Sequence, residues 1–134
     1  MQDRPTSAEL LDALRHFVET DVVPALDGPK KFHARVAANV LAILRREADL
    51  EDTQSQAEWD RLTPLLADDP GPLPLSGAAR AARLRQRTEA LCDRIRRGDA
   101  DAGAWRAAVL AHVRQTVVDK LAVANPKFLG GDQS

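Results

Sequence analysis

Eight polar side chains lie on, beside or at the end of otherwise apolar helical stretches, and these residues are the best placed to do chemistry. They are His33, Arg35, Asn39, Arg46, Glu47, His112, Lys120 and Asn125. Guanidinium, ammonium, imidazole and amide groups bind anions and amide-bearing molecules, so the set predicts a ligand-binding pocket. We assign no catalytic residue, because the pattern places no nucleophile beside a general base.

Glu47 and Lys120 each project near the middle of an apolar stripe. Burying one such charge alone is costly, so each must find solvent or a partner. Three interpretations stay open: both reach solvent at the ends of their helices, both form a structural ion pair, or both line a pocket. We expect the carboxylate and the ammonium group to be near neighbours.

His33 and His112 both fall on predicted inner faces, which raises the question of a metal site. Such a site needs three or more ligands at workable spacing, and the chain has one Cys and no H-x-x-x-H, H-E-x-x-H or E-x-x-H pattern. We therefore predict no metal and no cofactor, and interpret both histidines as structural. Asn39 has two interpretations: a ligand-binding amide beside Arg35, or a buried amide that fixes the helix register.

Motifs of common enzyme classes do not appear in the chain. None of the seven glycines stands in a G-x-x-x-x-G-K or G-x-G-x-x-G phosphate loop, and there is no G-x-S-x-G elbow. The sequence therefore favours a protein that is not an enzyme.

Two neighbouring segments carry opposite charge. Residues 80–97 contain seven arginines and two acids, a net charge of +5, whereas residues 47–69 contain eight acids and one arginine, a net charge of −7. Such segments attract each other within a fold or across a dimer. Arg80, Arg87 and Arg94 recur every seven residues, which is typical of charges that flank a helix–helix contact. The basic segment has no aromatic side chain, so we do not expect nucleic-acid binding.

Apolar residues recur at helical spacing in five stretches, and no strand signal of comparable strength appears. The predicted helices cover residues 6–22, 30–48, 54–67, 76–97 and 102–124. A Pro-rich loop is expected at 68–75 and a frayed tail at 127–134. The chain is thus predicted to fold as one all-α domain over 1–134, an antiparallel bundle of about five helices with one Pro-rich loop.

The apolar spacing also predicts which faces are buried. The second predicted helix is expected to bury a stripe that contains Phe32, Val36 and Val40. The fifth is expected to bury a longer stripe, together with the side chains of His112 and Lys120. Its other members are Trp105, Val109, Val113, Thr116, Val117 and Val123.

Composition limits the compartment. A single Cys among 134 residues excludes an internal disulfide, which fits a reducing cytoplasm. No apolar run approaches the roughly 20 residues of a membrane span, so we expect a cytoplasmic protein without a membrane partner.

Three blocks in this order resemble a bacterial family of unknown function, domain of unknown function 6285. They are RPTSAELLDALRHFVETDVVPAL at the start, FHARVAANVLAILRRE in the second predicted helix and DKLAVANPKFL near the end. The family's members are small helical proteins whose activity is uncharacterised, so the resemblance assigns no site residue. It implies genes that often lie beside those of aminoglycoside-phosphotransferase-like kinases and acyl-CoA dehydrogenases.

Two functions follow as hypotheses. The first is a non-catalytic accessory or interaction protein, linked to a phosphotransferase-like kinase or to acyl-CoA metabolism and able to form a homo-oligomer. The alternative is a small-ligand-binding protein or minor enzyme. It would bind an acyl-CoA or a phosphorylated acid in a pocket between the second and fifth predicted helices.

Overall fold

The computed structural model describes residues 4–130, which form five α-helices and no strand. The chain is therefore all-α. The helices are α1 (Ser7–Phe17), α2 (Gly28–Leu66), α3 (Gly77–Arg96), α4 (Ala104–Ala124) and α5 (Pro126–Leu129). A π-helical turn at Val18–Val22 and a 3-10 turn at Val23–Ala25 follow α1. None of the helices in this range is long and apolar enough to cross a membrane.

A capping box opens α1. The Thr6 hydroxyl accepts a hydrogen bond from the Glu9 amide at 3.2 Å, and the Glu9 carboxylate accepts one from the Thr6 amide at 2.7 Å. Each side chain thereby satisfies a backbone donor that the first helical turn leaves unpaired.

The second and third predicted helices are one helix, so the predicted break between 48 and 54 is wrong. α2 runs without interruption from Gly28 to Leu66. Residues 48–54 contain no Gly or Pro that would stop a helix, and Arg45 pairs with Asp49 one turn along. The pattern of Thr53 followed three residues later by Gln56, which is typical of a helix start, lies inside the helix here.

Two compact units make up the chain, where the sequence predicts one domain. The first unit contains the residues up to Glu51 together with those from Leu121 onward. The second contains Asp52–Lys120. Their boundaries fall inside α2 and α4, so each of these helices contributes residues to both units.

Within the first unit, α2 is turned opposite to the prediction. Its buried residues are Ala34, Ala38 and Ala42, whereas Phe32 and Val36 are 64% and 45% exposed. Val40 and Leu44 are similarly exposed. Ala38 and Ala42 line a cleft with Arg15 and Val23, so the alanine face is the one that lies towards α1 and the turns that follow it. Small side chains let a neighbouring backbone approach closely. The periodicity of the large apolar residues therefore did not show that the alanine face is the buried one.

The second unit has a small apolar core. Leu62, Leu65, Leu91 and Val109 are buried together, and Leu84 and Trp105 pack against them. The α4 stripe is therefore only partly as predicted. Val113 and Val117 are exposed, as is Lys120, whereas His112 is buried.

Three arginines fix α3 against the end of α2. Arg80 pairs with Asp52, Arg87 donates to the Trp59 carbonyl, and Arg94 donates to the Leu65 carbonyl. The arginines spaced by seven residues thus flank a helix–helix contact, as predicted. The basic segment 80–97 and the acidic segment 47–69 form ion pairs with each other within the fold. The partners ascend together along both helices, so α2 and α3 run parallel here. This corrects the prediction of antiparallel neighbours.

The segment between α2 and α3 makes the parallel arrangement possible. The indole of Trp59 donates to the Gly71 carbonyl, and Arg80 donates to the carbonyls of Pro74 and Leu75. These contacts show that the segment returns along α2 before α3 begins. By contrast, α4 runs antiparallel to α2, because Gln54 bonds the Asp119 carbonyl while Trp105 bonds that of Leu65.

The predicted tail starts inside a short helix. Pro126–Leu129 form α5, so residues 127–129, at the start of the tail predicted over 127–134, are helical. Residues 131–134 of that tail lie outside the described residues.

Candidate functional site

Three of the eight predicted ligand-binding residues meet in one cleft of the first unit. Asn39, Arg46 and Asn125 line a space of about 400 Å³ together with Lys127. Arg46 is held in place because its Nε donates to the Val123 carbonyl oxygen at 2.7 Å. Two amides and two cations on one cleft favour an anionic group over a cationic one.

Arg35 lies in a second cleft of the same unit. It shares a space of about 290 Å³ with Asn39 and with Arg15 and Glu19 of the first helical stretch. Arg15 donates to the Glu19 carboxylate at 3.0 Å, so one cation of this cleft is already paired. Asn39 borders both clefts, and it is exposed, so it is not the buried register-fixing amide that the sequence allowed.

The remaining residues of the first unit do not join these clefts. His33 is exposed, contrary to its predicted inner position, and its ring lies 5.9 Å from that of Phe32. Glu47 is exposed too, and Lys120 is an exposed residue of the second unit. Their pairing stays a prediction.

His112 lines a cleft of the second unit. The space is about 480 Å³ and lies between the last turns of α2 and the first half of α4. Most of its wall is apolar, formed by Pro64, Leu65, Trp105, Ala108 and Ala111, and its polar members are Arg61, His112 and Gln115. A volume in the range of about 300–1,000 Å³, apolar walls and a few polar groups are typical of small-molecule sites.

Two polar atoms in this cavity wall are buried without a hydrogen bond. They are Nδ1 of His112 and Nε of Arg61, and His112 as a whole is only 6% exposed. Buried polar atoms are nearly always hydrogen-bonded in folded proteins, so each unpaired one requires an explanation. Neither atom presents accessible surface to the cleft, so both are internal to its wall.

Arg61 is the functional candidate that sequence reasoning missed. Its Nη2 pairs with the Asp119 carboxylate at 2.9 Å, and Gln115 donates to the other oxygen of Asp119, also at 2.9 Å. The signal was present in the sequence, since Arg61 is the single base within the acidic segment 47–69. The wrong rotation assigned to α4 hid the fact that His112 and Asp119 lie two turns apart on one face.

The surroundings of His112 favour the neutral form of its imidazole. Burial lowers the pKa of its imidazole, the positive charge of Arg61 lowers it further, and the negative charge of Asp119 opposes both to a lesser degree. A neutral imidazole has one donor and one acceptor nitrogen.

No Ser, Thr, Cys or Lys is among the residues that line this cleft. Within residues 4–130, no group of three or more His, Cys, Asp or Glu side chains is arranged to hold a metal ion.

Comparison with known proteins places the chain in a family. A family model described as a domain of unknown function, DUF6285, matches residues 24–128. No curated protein and no solved structure matches the chain. Because the matched range covers most of the sequence, the chain belongs to the DUF6285 family.

Proposed function

We propose that this protein is a non-catalytic accessory protein that binds a protein partner through the outer face of α2. The observation that carries the proposal is the row of Phe32, Val36, Val40 and Leu44 along the helix. Each is between 42% and 64% exposed, although the opposite alanine face is buried. Contiguous apolar side chains on a surface commonly mark an interaction site.

The spacing of the row indicates how a partner would bind. The four residues recur every fourth position, so they project from one side of a helix in successive turns. An amphipathic helix with such anchors binds by laying its apolar side into a groove of the partner. We propose a phosphotransferase-like kinase or an acyl-CoA dehydrogenase as that partner.

Substitution of Val40 by Glu tests the proposal. The change places a charge in the middle of the row without filling or emptying the interior, since Val40 is 46% exposed. We expect the affinity for the partner to fall at least tenfold, because fully burying one Val contributes roughly 1.5–3 kcal/mol. Helix content by circular dichroism should be unchanged.

Ala82→Glu is the matched control, because Ala82 is an exposed residue of α3 and the same charge is added. It should bind the partner like the natural protein. Failure of the natural protein to associate with either enzyme at micromolar concentration would contradict the proposal. A dimer that Val40→Glu dissociates would show that the face binds a second copy instead.

A second candidate function is binding of a phosphorylated acid in the cleft of Asn39, Arg46, Asn125 and Lys127. The convergence of three predicted residues with a further cation favours it. A ligand at 100 times its dissociation constant adds about 2.7 kcal/mol to stability. A rise in melting temperature with 3-phosphoglycerate, lost in Lys127→Gln and kept in Lys30→Gln, would support it; no rise would refute it.

A further inference from the structure

We propose that the two clefts that meet at Asn39 form one groove, and that this groove binds a small sugar with a phosphate group at each end. The proposal deepens the second candidate function and rests on it, because one phosphate would bind in the cleft of Arg46 and Lys127. All residues of the groove belong to the first unit, and none of them is part of the exposed apolar row of α2.

The two clefts adjoin because Asn39 lines both of them. Their volumes are about 290 and 400 Å³. The smaller cleft contains Arg35, and the larger one contains Arg46 and Lys127. Arg35 and Arg46 lie about three helical turns apart, so α2 presents both from the same side. The groove therefore has a guanidinium group towards each end and an amide between them.

The donor groups of the groove are accessible to a ligand. The residues Arg35, Asn39, Asn125 and Lys127 are all exposed. Asn125 precedes α5 without using its side chain to cap that helix. Arg46 is partly buried and bonds the Val123 carbonyl oxygen through Nε, which leaves both terminal nitrogens of its guanidinium group for a ligand.

The charge of the groove selects an anion. Its charged side chains are four cations and one acid, namely Arg15, Arg35, Arg46, Lys127 and Glu19. Glu19 pairs with Arg15 at 3.0 Å, so the other three cations have no acid partner among the residues that line the groove. Guanidinium groups bind phosphate through two parallel hydrogen bonds, and the amide groups can donate to phosphate or hydroxyl oxygens.

The spacing of the cations selects two phosphate groups over one. Three turns of helix separate the Cα atoms of Arg35 and Arg46 by roughly 16 Å. The bond from Arg46 to the Val123 carbonyl oxygen holds this guanidinium group in its own cleft, so it does not swing towards Arg35 to share a single phosphate. A hexose with a phosphate at each end places one phosphate at each guanidinium group and its hydroxyl groups beside Asn39.

Fructose 1,6-bisphosphate is the probe, with fructose 6-phosphate and inorganic pyrophosphate as comparisons. Pyrophosphate also has two phosphoryl groups, but they share an oxygen atom and cannot reach both ends of the groove. We expect the bisphosphate to bind about tenfold more tightly than either comparison, because only it gains the second charge-assisted contact. Isothermal titration calorimetry at one fixed ionic strength measures all three affinities.

Substitution of Arg35 by Gln removes the second contact alone. Arg35 is exposed, so the variant should fold normally. Its affinity for the bisphosphate should fall about tenfold, and its affinity for fructose 6-phosphate should not change. Lys127→Gln should weaken the binding of both sugars. Lys30→Gln is the matched control, because Lys30 is an exposed cation of α2 that lines neither cleft, and it should bind both sugars like the natural protein.

The outcomes separate this inference from the function on which it rests. Binding of 3-phosphoglycerate without binding of the bisphosphate would overturn the inference and leave the second candidate function standing, whereas no binding of either would refute both. Equal affinity for the bisphosphate and either comparison would remove the role of spacing and overturn the inference. Equal losses in Arg35→Gln and Lys30→Gln would also overturn it, because general attraction to positive charge would then explain the binding.

Discussion

The guanidinium of Arg87 lies 4.4 Å from the ring centroid of Trp59 and donates to the carbonyl oxygen of the same residue. Arg87 is 4% exposed and also pairs with the Asp68 carboxylate at 2.6 Å. One side chain thus joins α3 to the ring, the backbone and the acid that follows α2. A planar cation with five donors can do this, whereas an ammonium cannot.

Substitution of Arg87 by Ala should lower the free energy of unfolding by about 3 kcal/mol. The change opens space beside Trp59 and removes the partner of Asp68, which is only partly exposed. Arg87→Lys should recover part of the loss, because it restores charge but not the fork. Arg85→Ala, at an exposed position of α3, should change stability by less than about 0.5 kcal/mol. Urea unfolding measures all three.

Gly98 ends α3 in a left-handed conformation, and its replacement by Ala should be destabilising by about 1 kcal/mol. Its φ is +91°, and an added Cβ would lie 3.0 Å from the Asp101 carboxylate. The amides of Gly98 and Asp99 bond the carbonyls of Ile95 and Arg94, which is the Schellman pattern.

Gly77→Ala is the contrasting variant. Gly77 opens α3 with no atom within 4 Å of an added Cβ and no positive φ. Ala there should be neutral or stabilising by up to about 1 kcal/mol, because it restricts the unfolded chain. Equal losses at the two positions would show that the left-handed backbone is not what matters at Gly98.

The stability of the protein should depend on pH through His112. Its pKa is lowered from the ordinary value of 6.5 by burial and then by Arg61, so below about that pH the unfolded chain binds more protons than the folded one. The stability that the folded protein has with a neutral His112 is complete above about pH 6.5, and it is lost as the pH falls through the lowered pKa. The slope cannot exceed about 1.4 kcal/mol per pH unit for one group.

His112→Gln cannot be protonated and removes this dependence. Urea unfolding between about pH 7.5 and 5 should show a smaller loss of stability for this variant than for the natural protein. Identical slopes would mean that His112 does not titrate differently in the folded state.

The two neighbours of His112 should move its pKa in opposite directions. Asp119→Asn removes a charge that raises the pKa, so the pKa should fall further. Arg61→Gln removes a charge that lowers it, so the pKa should rise towards its ordinary value. NMR titration of the His112 ring protons measures both, and shifts of the same sign would refute the arrangement.

Enlarging Ala38 tests the rotation of α2 within the first unit. Ala38 is 4% exposed, so Ala38→Leu should cost about 1–3 kcal/mol through overpacking. Val40→Ala shortens a side chain on the opposite face. It should lower the free energy of unfolding by less than about 1 kcal/mol, since Val40 is 46% exposed. The reverse order of losses would mean that the Val face is the buried one.

Local signals in the sequence determined the helical class, the Thr6–Glu9 cap, the end of α3 at Gly98 and the seven-residue arginine spacing. Each depends on neighbours within a few residues, so the chain alone specifies it. Asn39 and Arg46 are seven residues apart on one helix, so the sequence also places them on the same side of it.

Tertiary structure decided which face of each helix is buried and which polar groups meet. The alanines of α2 are buried because small side chains allow close approach, and an apolar stripe read by size alone pointed to the other face. Pairing of α2 with α4 brings Arg61 to Asp119, which lies 58 residues further along the chain, and places it in the same cleft wall as His112. Sequence periodicity shows which residues share one side of a helix. Only the packing of the helices against each other decides which of those sides is buried.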